Sequence, residues 1–192
     1  RVLRSGGMVA FPTESFYGLA VDIQNERAIR RLFEVKRREL DRPVLLLVDS
    51  IKGLEPWAAR ISERASRLME RFWPGGLTLV LEASPRVSFL LTAGTGKIGL
   101  RLSSHPVARA LARRAGGAVT GTSANLSGQP ACRTALEVLS ILGHEVLILD
   151  GGKTPGGAAS SILDIAEDPP ILLREGMVSR KALEACLEGP IA

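Results

Sequence analysis

Aromatic side chains are scarce in this chain of 192 residues: they make up 4%, and Tyr17 is the one tyrosine. A core poor in rings has to be built from Leu, Val, Ile and Ala, and a hydrophobic share of 45% is enough to build one and to argue against disorder. Long apolar runs are missing too. None approaches the ~18 residues a membrane-spanning helix needs, and no signal peptide is recognisable. Cysteine is almost absent: Cys132 and Cys186 stand 54 positions apart. Neither belongs to a metal-ligand or redox spacing, which points to a reducing cytoplasm. His105 and His144 complete no zinc spacing with them, so no bound metal is expected. The marks of the common nucleotide enzymes also fail. Gly152-Lys153-Thr154 has Leu147 where a P-loop needs its first glycine, and Pro155-Gly156-Gly157 where a helix should begin. Gly96-Lys97 has Leu91 and Ile98 at the corresponding places. No Rossmann fingerprint follows the first strand, and no Ser-His or Cys-His signature offers a covalent nucleophile.

What is present is positive charge, unevenly spread. Residues 1–114 carry 20 Lys and Arg against 11 Asp and Glu, whereas residues 115–192 carry 5 against 9, so +9 faces −4 within a total of +5. A basic half suits a polyanion such as a nucleotide phosphate or RNA. Part of it is accounted for by a solvated helix face, since Arg60, Arg64, Arg67 and Arg71 recur at helical spacing.

Strands alternate with helices along the whole chain, which predicts a single α/β domain over 1–192 with one twisted mixed sheet flanked by helices. Arg1 to Gly6 reads as the tail of a helix. Met8 to Phe11 is a short apolar strand ended by Pro12, and Thr13, Glu14, Ser15 and Tyr17 follow at once. Asn25 caps a helix through Val35 with Lys36, Arg37 and Arg38 at its end, and Pro43 introduces a strand, Val44 to Val48. A helix from Ser62 to Phe72 and a strand from Leu77 to Glu82 come next. Residues 83–97 read as loop or partial strand, and Ile98 to Leu102 as a strand carrying Arg101. Ser104 caps a helix with Pro106 in its first turn, stopped by Gly116-Gly117. Ala118 to Thr122 is a strand running into Ser123-Ala124-Asn125. Thr134 and Glu137 form a capping box, and Val146 to Leu149, Ile162 to Ile165 and Ile171 to Arg174 are strands. Ser179 caps the last helix.

Four polar clusters therefore fall at element ends: Thr13 with Tyr17, Lys36 with Arg38, Ser123 with Asn125, and Ser160 with Ser161. Arg101 and Arg174 join them at strand ends. Open α/β sheets present ligands at such places, and cations beside hydroxyls and amides suit phosphate oxygens or a polar substrate.

The ordered motifs resemble those of the YrdC-like domain family, which includes threonylcarbamoyl-AMP synthases. Pro12 to Leu19 resembles P-T-E-[ST]-x-Y-G-L, Lys36 to Arg38 with Pro43 resembles K-x-R…P, and Trp73 to Thr78 resembles W-P-G-P-L-T. Arg101 to Pro106 is similar to R-x-P-x-H-P, Ser123 to Gly128 to S-A-N-x-S-G, Gly157 to Asp164 to G-x-x-S-T-x-x-D, and Leu173 to Gly176 to L-R-x-G. The resemblance implies a YrdC/RibB-like fold. It implies formation of threonylcarbamoyl-AMP and pyrophosphate from L-threonine, bicarbonate and ATP carrying Mg2+, for a tRNA threonylcarbamoyltransferase downstream. By the same resemblance Lys36 and Arg38 neutralise phosphates and count as catalytic, and Ser123, Asn125, Ser160 and Arg174 hold the nucleotide. Thr13, Tyr17 and Arg101 shape the threonine pocket. His105 reads as a helix-start residue. The chain departs from the pattern at Leu47, where relatives usually carry histidine near the amino acid, and at Gly76, Ser103 and Ser161. A module that binds double-stranded RNA or tRNA without catalysis, or a relative making another carbamoyl adenylate, are the competing readings.

Overall fold

A computed structural model describes all residues, 1–192. The chain order is β1 (Met8–Pro12), β2 (Tyr17–Ala20), α1 (Glu26–Lys36), β3 (Leu46–Val48), α2 (Glu63–Phe72), β4 (Leu77–Glu82), α3 (Phe89–Thr92), β5 (Lys97–Arg101), α4 (Pro106–Ala115), β6 (Ala118–Thr120), β7 (Thr122–Ser123), α5 (Ala135–Leu142), β8 (Val146–Ile148), β9 (Ser161–Asp164), β10 (Ile171–Arg174) and α6 (Arg180–Leu187). The α/β class and the mixed pairing are as expected. The strands divide between two sheets instead of forming one: β7-β2-β1-β8 and β10-β9-β4-β5-β3-β6.

Gly121 makes the division. The strand expected over Ala118 to Thr122 leaves the larger sheet after Thr120 and joins the smaller one at Thr122. At the switch the Gly121 N–H donates to Leu45 O at 2.8 Å, and a Cβ there would lie 2.5 Å from Leu45 Cδ1 and 2.7 Å from Leu47 Cγ. Both sheets still share one buried cluster, from Met8, Ala10 and Leu19 of the smaller to Leu46, Leu79 and Leu100 of the larger. Each such leucine contributes roughly 1.5–3 kcal/mol on burial, so the two sheets stand or fall together.

Helix ends follow local chemistry. The side chains of Asn25, Ser62 and Ser179 accept from the backbone N–H three residues on, as caps should. For α4 the cap is His105, not Ser104: its Nδ1 accepts from Val107 N at 3.3 Å. At α5, Thr134 accepts from Glu137 N, but Glu137 returns its carboxylate to Arg133 N, one residue short of a closed box. The segment before β5 contains the short helix α3, capped by Ser88. Arg60 lies outside α2, Arg64 pairs with Asp168 at 2.9 Å and Arg67 with Glu188 at 3.8 Å. The row of arginines is therefore broken in space, and two of its members already face carboxylates.

Candidate active site

Strand alternation builds the site. On β4, Leu77, Leu79 and Leu81 enter the core while Thr78 and Val80 face the other way. On β5, Ile98 and Leu100 are core, while Lys97, Gly99 and Arg101 share the opposite face with Ile162 and Asp164 of β9. That face is the floor of a cavity of about 850 Å³. The loop after β1, the start of β2 and the segment Thr122 to Asn125 of the smaller sheet wall it. Gly99 keeps the floor low: a Cβ would press on Leu45 Cβ at 3.1 Å and Thr78 Cγ2 at 3.2 Å.

Eight of the nine candidate residues reach this cavity: Thr13, Tyr17, Arg38, Arg101, Ser123, Asn125, Ser160 and Arg174 line it, and Lys36 alone does not. Lys36 is buried behind the wall and donates to Ser123 O at 2.5 Å and Asn125 O at 2.6 Å. Burial, with Arg38 nearby, brings its ammonium down to about 8. Lys36 thus holds the segment carrying Ser123 and Asn125, where the resemblance had it meeting phosphate directly.

The hydroxyls of Thr13 and Tyr17 are also engaged. Thr13 Oγ1 donates to Phe16 O at 2.7 Å and accepts from Ser15 N, closing the turn after β1. Tyr17 Oη donates to Gly152 O at 2.8 Å and accepts from Gly151 N at 3.1 Å, tying the glycine-rich segment to β2. Burial raises the phenol above its ordinary pKa. Asn125 Nδ2 donates to Leu126 O and Gln129 O, and its Oδ1 is buried with no partner.

The charges fall into two kinds. Arg101 Nη2 lies 2.8 Å from Glu14 Oε1, and Lys97 Nζ lies 2.8 Å from Asp164 Oδ2 and also meets Glu167. Arg38 and Arg174 make no salt bridge. Arg38 donates Nη2 to Pro43 O at 2.8 Å, and Arg174 donates Nε to Ser160 O at 3.0 Å. Ser160 Oγ in turn is 2.9 Å from Thr78 Oγ1. Burial lowers both guanidiniums from their ordinary values, with Arg42 adding to the effect at Arg38 and Arg101 at Arg174; both stay cationic at neutral pH. Leu47 lines the cavity and pairs in register with Arg101 across β3 and β5.

Sequence reading missed Lys97, Asp164 and Thr78 as cavity residues. The signal was available: polar residues at every second position of apolar strands mark a face turned away from the core. His105, as expected, is a helix-start residue.

The Sua5/YciO/YrdC model, described as telomere recombination, matches residues 1–176. The chain belongs to that family. A Bacillus subtilis protein named threonylcarbamoyl-AMP synthase is 40% identical over 192 residues, which are 99% of this chain and 55% of that protein. One from Thiobacillus denitrificans with the same name is 38% identical, over 85% of this chain and 87% of its own length. The crystal structure of Pyrococcus abyssi Sua5 complexed with L-threonine superposes with a TM-score of 0.93 at 38% identity, covering 100% of this chain and 57% of the other. The chain thus spans about half the length of the B. subtilis and P. abyssi relatives.

Proposed function

We propose that this chain forms threonylcarbamoyl-AMP and pyrophosphate from L-threonine, bicarbonate and ATP, for transfer to tRNA by a separate enzyme. The observation that carries the reading is the pair of guanidiniums, Arg38 and Arg174, left without carboxylate partners in a cavity whose other cations are paired. Such a cavity is short of anions, and a triphosphate supplies them. The threonine amine and bicarbonate give a carbamate with loss of water. A carbamate oxygen then attacks the α-phosphorus, and the bond from that phosphorus to the β-bridging oxygen breaks to release pyrophosphate. The protein's task is to bring two anions together and spread the charge that develops, which requires no covalent nucleophile.

Arg38 and Arg174 suit phosphate oxygens, and the buried Oδ1 of Asn125 awaits a donor. Lys36 keeps that wall in place. Arg101, already neutralised by Glu14, suits the amino-acid carboxylate as a directed donor. Magnesium enters on the triphosphate as part of the substrate. The cavity's own carboxylate, Asp164, is held by Lys97 and by Ala166 N, so the ion would keep mostly phosphate and water ligands.

Incubation with ATP, bicarbonate and a panel of amino acids, followed by pyrophosphate assay, tests the reading; no release with any amino acid would overturn it. Arg38→Ala should weaken ATP by about 1.5–3 kcal/mol, roughly ten- to hundredfold in Kd, as loss of a charge-assisted contact does. Unchanged calorimetric affinity would remove Arg38 from the phosphate site. A further prediction concerns selectivity. Leu47 places an apolar side chain beside Arg101, and an apolar wall rejects only weakly an amino acid that lacks a hydroxyl, as valine does, or a methyl group, as serine does. Serine and valine should therefore compete with threonine, and Leu47→His should sharpen the preference in the same assay. Strict threonine selection by the parent would contradict this.

A further inference from the structure

We infer that Glu14 is a positioning residue, fixing the Arg101 guanidinium as a directed donor at the amino-acid end of the cavity. The inference rests on the proposed function and adds to it a residue that touches no substrate.

Glu14 does not line the cavity. Its carboxylate sits behind Arg101 and is fully engaged: Arg101 Nη2 approaches Oε1 at 2.8 Å, Ser104 N donates to Oε1 at 3.1 Å, and Ser103 Oγ donates to Oε2. Only 11% of the Glu14 side chain and 8% of the Arg101 side chain are exposed, so solvent screens the pair little. Burial alone would raise the carboxyl, but the Arg101 charge and the Ser103 hydroxyl outweigh it and hold Glu14 below its ordinary range. It is an anion at working pH.

Arg101 is consequently gripped on two sides. Its Nε donates to Gly75 O at 3.1 Å, and its buried Nη2, which makes no well-aligned hydrogen bond, is held by charge 2.8 Å from Glu14 Oε1. A guanidinium has five N–H donors in a rigid fork, so fixing two of its nitrogens fixes the third. Nη1 makes no hydrogen bond within the protein, and because Arg101 lines the cavity its hydrogens are the ones left for a ligand. The pair is neutral overall, which leaves the phosphates to Arg38 and Arg174. The contact also spans the sheets: Glu14 follows β1 of the smaller sheet, and Arg101 ends β5 of the larger. Glu14 thereby sets the distance from the β1 turn to the floor at the point where a small zwitterion would lie.

The test measures pyrophosphate release against threonine and ATP separately, with thermal unfolding beside it, for the parent, Glu14→Gln and Glu14→Asp. Gln keeps the shape and removes the charge. The KM for threonine should rise about tenfold or more, as expected when a binding group loses its fixed orientation, with the KM for ATP within about twofold. Asp restores the charge and should recover part of the loss. Should Glu14→Gln fail to fold, Ser103→Ala leaves the ion pair and removes one support, and must shift the threonine KM in the same direction by a smaller factor. Equal rises in both KM values, or a fall in kcat alone, would reduce Glu14 to a structural role and overturn the inference. A parent that turns over while the variants keep its threonine KM overturns it too, leaving the proposed function standing. A parent that releases no pyrophosphate overturns both.

Discussion

Replacing Lys36 by methionine should unlatch the cavity wall from behind. The variant removes the two donations to Ser123 O and Asn125 O and leaves both carbonyls in a region the chain has already desolvated. A buried acceptor left unpaired costs about 1–3 kcal/mol, so the loss of stability should be about 2–6 kcal/mol for the two. Activity should fall about a hundredfold, because Ser123 and Asn125 lose their fixed places. The pH dependence separates this from a phosphate contact. The folded ammonium titrates at about 8, against 10.5 for an unperturbed lysine. Between those values the unfolded chain binds more protons than the folded one, so stability from this group rises with pH through the window and is lost as pH falls through about 8. Parent minus variant should therefore grow by about 2 kcal/mol from pH of about 8 to about 9.5 in urea unfolding. A flat difference would show that Lys36 is better solvated than its position behind the wall implies.

Arg101→Ala should cost a comparable amount of stability and more of the activity. It leaves the Glu14 carboxylate buried without its counter-ion, and breaking a buried pair from one side typically costs about 3–5 kcal/mol. Threonine-dependent turnover should be abolished, since the free guanidinium edge goes with it. The acid limb supplies the sign. In the parent, Glu14 titrates below its ordinary value, so its stabilisation is complete above that value and is lost as pH falls through the lowered one. Without Arg101, burial governs, the folded pKa lies above the ordinary value, and acidification relieves the strain. Lowering pH from about 7 to about 5 should narrow the gap between variant and parent. Adding Glu14→Gln to Arg101→Ala should recover stability at neutral pH. A gap that widens on acidification, or no recovery in the double variant, would contradict the account.

Much of this was legible in the residues. Caps at Asn25 and Ser179 rest on one side chain and one backbone N–H nearby in sequence, so they can be read directly. The strand Leu77 to Glu82 was expected with the observed bounds. The motif residues converge on one cavity because they sit at or near element ends, around one face of the larger sheet. The division into two sheets could not be read, because it depends on whether Thr122 pairs with Leu19 or continues beside β3, a choice made by partners about a hundred positions away. The inward turn of Lys36 was hidden for a similar reason. A lysine at a helix C-terminus is ordinarily solvated, and only the distant carbonyls of Ser123 and Asn125 make burial tolerable.

The alternation on β4, β5 and β9 separates two kinds of inheritance. Leu79, Leu100 and Leu163 answer to the fold, and Val80, Gly99, Ile162 and Asp164, their sequence neighbours, answer to whatever occupies the cavity. Change on one face need not be compensated on the other, because a strand residue's neighbours in sequence are not its neighbours in space. Exchanges at Val80 or Ile162, both outside the buried cluster, can therefore reshape the cavity one side chain at a time while the leucines behind them stay as they are.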